Sequence, residues 1–373
     1  MRQELERIPV PDAEAAAERA REVVLAAFGE REPVARERHV LRVAAIAVVA
    51  AALLGGALAT PPGRAVLDEI REAVGVERAQ PALFSLPAPG WLLVASDAGS
   101  WVVEADGSKR LLGPYREASW SPFGRFVVAT GRNELAALEP SGAVRWTLAR
   151  PRPSSPRWAG TTTDTRIAYL DATGIRVAAG DGTGDRLLTP ERAQIAWRPR
   201  SNFVLGQLHT SELRLQDTQT GRVADRVRAG SAVDVIDWSW APDGARAVVV
   251  RPWEVTIVDV ERDSMRSLPF PARDVTAARV SPDGRELAVL RAGEVLVIDM
   301  ARPSVRRRVF AGAGPFEGLA WSPDGRWLLV GWPAADQWVF VRADGRRIQA
   351  VANVSEQFRS QRLPRAEGWC CSE

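Results

Sequence analysis

Two regimes of hydrophobic patterning divide the chain. From Val43 to Gly63, twenty-one successive residues carry no charge. Beyond residue 80, apolar runs of four to seven residues alternate with turns rich in Gly, Asp and Pro. The first pattern predicts a membrane-crossing helix, because 1.5 Å of rise per residue over such a stretch matches a hydrocarbon core of about 30 Å. The second predicts strands, and therefore an all-β domain.

The span is alanine-rich. Val43, Ile46, Val48, Val49, Leu53, Leu54 and Leu58 supply roughly −3.5 kcal/mol toward insertion, and Pro61 and Pro62 end the run. Arg31, Arg36, Arg38 and Arg42 precede it, whereas Arg64 stands behind it among Asp68, Glu69 and Glu72. That asymmetry predicts a cytoplasmic N-terminus and an exported remainder. Ala57-Leu58-Ala59 has the form of a signal-peptidase site, but a polar region of 42 residues ahead of the span is far longer than a signal peptide carries, which favours an uncleaved anchor over cleavage after Ala59. Within the tail, Ala16, Ala20, Val23, Val24 and Ala27 share one face of a short amphipathic helix bounded by Asp12 and Gly29. After the span, Val66, Ile70 and Val74 predict a short helical stalk.

The β region repeats. WSPFGRFVVA begins at Trp120, WAPDGARAVVV at Trp240, VSPDGRELAVL at Val280 and WSPDGRWLLV at Trp321; WRPRSNFVL at Trp197 and a segment around Trp158 are divergent copies. The spacings are 38, 39, 43, 40 and 41 residues, and a period near 40 with several strands per unit predicts a blade of a β-propeller. Each unit runs as an apolar strand ending at the anchor, a Pro-Asp-Gly turn, and further strands such as EVTIVDV from Glu254 and EVLVIDM from Glu294. A large ring at the anchor can fill the wedge between blades. Trp120, Trp158, Trp197, Trp240, Val280, Trp321 and Trp369 are therefore expected to be structural.

The ends of the repeat set the blade count. The strands from Trp91 belong to a unit whose anchor position, near Ser85, has no tryptophan, while Gly368-Trp369 resembles Gly318 to Trp321 and has no blade after it. Because an open sheet edge invites pairing with another chain, the strand around Arg365 to Trp369 is expected to complete the first blade. The expectation is about seven blades, six or eight remaining compatible. The domains follow as a tail over 1–42, a span over 43–63, a stalk over 64–81 and a propeller over 82–373.

These WSPDGR units, with the VVEADG and VIDM strands after them, resemble the TolB-like and WD-type β-propeller repeats of bacteria. LRLQDTQTGRV from Leu213 looks like the third strand and turn of a WD repeat, with Gln216 where tryptophan usually stands. The resemblance spans about residues 82–369. It implies a rigid surface for proteins or peptides, since fold alone does not fix function.

Composition removes several function classes. With 49 basic and 46 acidic residues charge is nearly balanced, and the only dense basic run is Arg306 to Arg308, placed where an outer strand should lie. Nucleic-acid binding is not expected, because phosphate neutralisation needs clustered basic residues. The two histidines, His39 and His209, lie on opposite sides of the span, so no multi-histidine metal site and no cofactor is expected. His209 would need a facing nucleophile to act as a catalytic base, and no G-x-S-x-G elbow is present. The loop Gly180 to Asp185 offers Asp181 and Asp185 to calcium but lacks acids at alternate positions; a plain turn is the expectation. Adjacent Cys370 and Cys371 can form a vicinal disulfide, pair with another chain or remain thiols.

No catalytic residue is nominated. The leading expectation is a membrane-tethered, extracytoplasmic binding or scaffold module for a protein, peptide or envelope polymer. A second is a single-pass regulator whose residues 12–28 engage a cytoplasmic partner. A third, an enzyme using carboxylates in the propeller funnel, needs a facing pair that sequence cannot place.

Overall fold

The computed structural model describes residues 85–371 apart from 160, 162, 163, 231–234 and 271–273. The expected tail, span and stalk lie outside the described residues. Among the described residues no helix is long and apolar enough to cross a membrane.

Seven four-stranded sheets form the domain. Blade 1 holds β1 (Trp91–Ser96), β2 (Gly99–Val103) and β3 (Lys109–Gly113), and blade 2 holds β4 (Glu117–Trp120), β5 (Val127–Thr130), β6 (Glu134–Leu138) and β7 (Val144–Ala149). Blade 3 follows with β8 (Ser154–Trp158), β9 (Ile167–Asp171), β10 (Gly174–Ala178) and β11 (Arg186–Thr189), and blade 4 with β12 (Gln194–Trp197), β13 (Val204–His209), β14 (Glu212–Asp217) and β15 (Val223–Arg228). Blade 5 is β16 (Asp237–Trp240), β17 (Arg246–Arg251), β18 (Glu254–Asp259) and β19 (Ser264–Pro269); blade 6 is β20 (Val275–Val280), β21 (Glu286–Arg291), β22 (Glu294–Asp299) and β23 (Arg306–Ala311). Blade 7 is β24 (Glu317–Trp321), β25 (Trp327–Trp332), β26 (Gln337–Arg342) and β27 (Ile348–Ala352), after which β28 (Arg365–Cys370) returns to blade 1.

Burial explains the composition of the strands. A blade is covered on both faces by its neighbours, so its second and third strands read as continuous apolar runs. Val127–Thr130 and Ile167–Asp171 are wholly buried. The fourth strands lie at the rim, and β15 and β19 each expose five of six residues. The first strands of successive blades pack against one another around the axis. Each first strand runs toward the face that bears the anchors, here the lower face, where first-to-second and third-to-fourth turns gather.

The Ser-Pro-Asp-Gly turns owe their geometry to two side chains. Ser322 Oγ accepts the Trp327 amide at 2.9 Å and donates to Asp324 Oδ1 at 2.6 Å, and Asp324 Oδ1 also accepts the Arg326 amide at 3.0 Å. Ser281 and Asp283 repeat the arrangement. Gly325 sits at φ 68°, a conformation that costs glycine nothing. In blade 2 the Asp position is taken by Phe123, itself at φ 63° and 69% exposed.

Ring closure is made by strand β28. It pairs antiparallel with β1, Trp369 opposite Leu92, and supplies the inner strand and anchor that blade 1 lacks. Trp369 packs edge-on against Phe340 at 5.7 Å, within a core shared by blades 7 and 1 that includes Leu92, Val94, Leu329 and Trp338. The connection into β28 is also packed: Phe358 meets Trp338 at 5.0 Å and Trp101 at 5.6 Å, and Trp338 Nε1 donates to the Pro364 carbonyl at 3.0 Å. Seven blades is thus the count, six and eight being set aside.

Candidate functional site

Three groups of side chains were open to function: the charges at the axis, the isolated histidine and acidic loop, and the surface between blades 2 and 3.

The inner strands carry three arginines and four carboxylates: Arg157, Arg279 and Arg365 with Glu117, Asp237, Glu317 and Glu367. Their charges act on one another across the ring. Arg157 of blade 3 lies in the field of Glu367, Glu117, Arg279 and Asp237, from blades 1, 2, 6 and 5, and burial is the main cause that lowers its pKa. It is solvent-accessible yet surrounded by protein, the situation of a group in a wet axial channel. Three of the four carboxylates are already engaged. Glu117 accepts the Ser155 amide, Asp237 pairs with Arg279, and Glu367 pairs with Arg365 at 2.5 Å. A hydrolytic carboxylate pair needs one acid and one base free to face a substrate, and these three are committed to protein partners instead.

His209 is hydrogen-bonded through Nε2 to no hydroxyl or thiol among the described residues. Its Nε2 is buried without a hydrogen bond, 3.8 Å from Glu191 Oε2. Burial first, then the Arg214 charge, hold its pKa below 6.5. Protonation therefore favours the unfolded chain: stability present above pH 6.5 is lost as pH falls through the lower folded value. An NMR titration of His209 is expected to show a midpoint below 6.5, and His209→Gln to flatten the acid side of the stability profile.

The loop Gly180 to Asp185 serves its neighbours. Asp185 accepts from Arg176 Nη2 and from the Tyr169 hydroxyl, each at 2.5 Å, and from Arg150 Nε at 3.0 Å. Burial opposes its charge, but the bonds from Arg176, Tyr169 and Arg150 prevail and keep its carboxyl below the usual range. Burial, then Asp185, push Tyr169 up to about 12. A carboxylate committed to two guanidinium groups is a poor cation ligand. Asp181 accepts the amide and hydroxyl of Thr183, an ordinary turn arrangement. Elsewhere, Arg307 pairs with Glu286, and Arg306 lies over Phe270, on the outer strand of blade 6. Cys370 and Cys371 are joined as a vicinal disulfide at the lower end of β28, against Gly124.

The anchors follow one rule with informative departures. Trp197, Trp240 and Trp321 each donate an indole N–H to the inner strand of the preceding blade, at Arg157 O (2.9 Å), Ala196 O (3.3 Å) and Arg279 O (2.8 Å). Val280 occupies the anchor position of blade 6 without such a donor. Trp120 and Trp369 bury their indole N–H groups unpaired. Trp158 differs again: it is half-buried, stacks on Phe126 (centroids 6.1 Å apart, planes 15° apart), and its N–H meets no acceptor among the described residues.

Trp158 lines an open cleft of about 690 Å³ on the lower face between blades 2 and 3. Its other aromatic walls are Phe123, Phe126 and Trp146. Trp146 is held by Nε1 donating to the Gly180 carbonyl at 2.9 Å, and its ring lies on Gly182, where a Cβ would approach to 2.8 Å. Arg125, Arg145, Thr161, Thr165 and Asp181 supply the polar margin. The aromatic residues come from three separate turns and strands 12 to 35 positions apart. Their convergence carries no local signature; the one sequence signal was Phe123 in place of the Asp of the repeated turn.

No family model matches the chain, and no curated protein matches it. Its fold is matched by 1420 solved chains, so likeness to any one of them speaks to architecture alone. A crystal structure of a mitotic checkpoint complex matches at TM-score 0.53 and 16% identity, over 69% of this chain and 90% of that chain. The Pan2 WD40 domain of Neurospora crassa matches at 0.51 and 14%, over 68% and 88%. Hydrazine synthase of Kuenenia stuttgartiensis matches at 0.49 and 13%, over 61% and 76%. The chain is a seven-bladed β-propeller with WD40 propellers among its structural neighbours.

Proposed function

We propose that this protein is a membrane-tethered, extracytoplasmic propeller that binds a protein, peptide or envelope polymer and performs no reaction on it. The observation that carries this reading is the interblade cleft, which is concave, aromatic and held by rigid strands. Exposed Phe123 at its mouth is what a binding surface displays. The uncharged run from Val43 to Gly63 supports the tether, and the arginines before it support export of the propeller.

Photocrosslinking in intact membranes tests both parts. A photoreactive residue at Phe123 is expected to trap a discrete partner, and one at Met265, exposed on the outer strand of blade 5, is not. Equal trapping at both positions counts against the cleft. Ile46→Arg, at about 2.5–3.5 kcal/mol near the centre of the span, is expected to shift the chain out of the membrane fraction; unchanged retention would sink the tether. The amphipathic pattern over residues 12–28 favours a second reading, in which the tail engages a cytoplasmic partner.

A further inference from the structure

Tertiary structure gathers three arginines on the upper face of blade 2. Arg116 immediately precedes β4, Arg132 lies in the turn from β5 to β6, and Arg152 lies in the connection from β7 to β8. Backbone bonds join these segments: the Arg116 amide donates to the Thr130 carbonyl at 2.9 Å, and the Arg152 amide to the Arg132 carbonyl at 3.1 Å. Pro114 stands two residues before Arg116, and Pro151 and Pro153 flank Arg152, so fixed φ angles stiffen the platform. All three arginine side chains are exposed, and none forms an ion pair or hydrogen bond among the described residues. The carboxylates of the same segments are turned elsewhere. Glu117 accepts the Ser155 amide, and Glu134 folds back against Gly131, where a Cβ would meet its Cγ at 2.9 Å. Arg150, the fourth arginine here, is spent on Asp185.

Each open guanidinium can take two oxygens of one anion, and three such forks on joined loops suit a ligand with repeated negative charge. A folded protein needs more than charge, because its contacts centre on buried apolar anchors. None of the large exposed hydrophobic side chains among the described residues lies in these segments. A bilayer is disfavoured by direction. The Leu86 amide bonds the Ala105 carbonyl in the turn from β2 to β3, on the lower face, so the tether proposed above approaches from the side opposite the arginines. We infer that the upper face of blade 2 binds a linear anionic polymer, whose successive anions settle on Arg116, Arg132 and Arg152 with release of their counterions. This is a second surface, on the face opposite the interblade cleft, and it stands or falls independently of the ligand of that cleft.

The test uses the full chain in detergent with two end-labelled probes, polyphosphate and polyglutamate, followed by fluorescence anisotropy. Saturable binding of at least one is expected at low salt, and the preferred probe identifies the anion as phosphate or carboxylate. Log affinity is expected to fall linearly with log salt, and each of Arg116→Gln, Arg132→Gln and Arg152→Gln to reduce that slope by about one. The triple variant is expected to lose at least tenfold in affinity. Arg266→Gln, which removes an exposed arginine on the outer strand of blade 5, is the control and is expected to change nothing. Thermal melts separate loss of binding from unfolding, and the single variants, each at an exposed position, carry the comparison if the triple variant melts early. Absence of saturation with both probes overturns the inference. So does a set of patch variants that bind like wild type, or an Arg266→Gln loss as large as theirs, since binding would then follow net charge alone. Photocrosslinking at Phe123 is unaffected by these results, so failure here leaves the cleft reading standing.

Discussion

Removing the last nine residues, so that the chain ends at Pro364, is expected to abolish cooperative folding of the propeller and leave an aggregating product. Strand β28 supplies the inner strand of blade 1, and without it Trp91 to Ala95 lose their ladder partners. The core shared by blades 7 and 1 opens at the same time, since Trp369 covers Phe340 and neighbours Leu92. An unpaired apolar edge of this kind recruits other chains. The loss of a strand and of one interblade contact exceeds the 5–15 kcal/mol or so that separates folded from unfolded domains. Size-exclusion chromatography and a circular-dichroism melt would check this. A monomeric product with a sharp transition would show that the ring does not depend on closure. The point variants grade the effect. Trp369→Ala is expected to cost about 3–5 kcal/mol through the cavity it leaves. Trp369→Phe is expected to cost far less, because it keeps most of the ring and removes an indole N–H that is buried without a partner.

The second large effect is expected at Arg251, a fully buried arginine on the second strand of blade 5. Its Nη2 donates to the Ala229 carbonyl at 2.8 Å and the Thr210 carbonyl at 3.3 Å, both in upper loops of blade 4, and its Nη1 lies 3.6 Å from Glu254 Oε1. Gly230, at φ 106°, lets the backbone lie against the guanidinium, where a Cβ would come within 2.8 Å of Nη1. Burial pulls the pKa of this arginine down and Glu254 pulls it up, yet a guanidinium stays charged in proteins. Arg251→Met is expected to destabilise the domain by about 3–5 kcal/mol, because it strands two carbonyls and a carboxylate. Adding Glu254→Gln is expected to recover part of that loss, since the carboxylate no longer stands without its cation. Urea unfolding of the single and double variants measures both numbers. A double variant no better than the single would mean that the carbonyls, not the charge pair, carry the cost.

Much of the architecture was legible in the chain because the repeat is local. The turn Ser-Pro-Asp-Gly works within six residues: Ser322 and Asp324 take the amides of Trp327 and Arg326 whatever surrounds them. Continuous apolar runs such as Val127–Thr130 report burial on both faces, and only stacked blades provide it for so many strands. The closure by Trp369 was likewise legible, since an anchor without a blade and a blade without an anchor leave one economical solution. The site was not. Alternation along a strand tells which side chains share a face, but in a propeller both faces of a blade meet other blades. It therefore cannot separate Arg157, at the axis, from arginines at the rim. The loop Gly180 to Asp185 read as a plain turn, but nothing in it announced that Asp185 gathers Arg150, Arg176 and Tyr169, up to 35 positions away.

An all-β repeat of period near 40, the strands and turns of each unit and the return of the last strand to the first blade were already written in the order of the amino acids. These follow from hydrogen bonds and burial that act over a few residues or repeat identically in every unit. Tertiary structure alone decided where the units differ. It decided that Trp158 lines an open cleft while Trp197, Trp240 and Trp321 staple blades together, that Arg251 crosses a blade boundary, and that Phe123, Phe126 and Trp146 converge. The physical reason is that a wedge between two blades is filled jointly by residues tens of positions apart. The fit of any one of them depends on its opposite number, which no local pattern specifies.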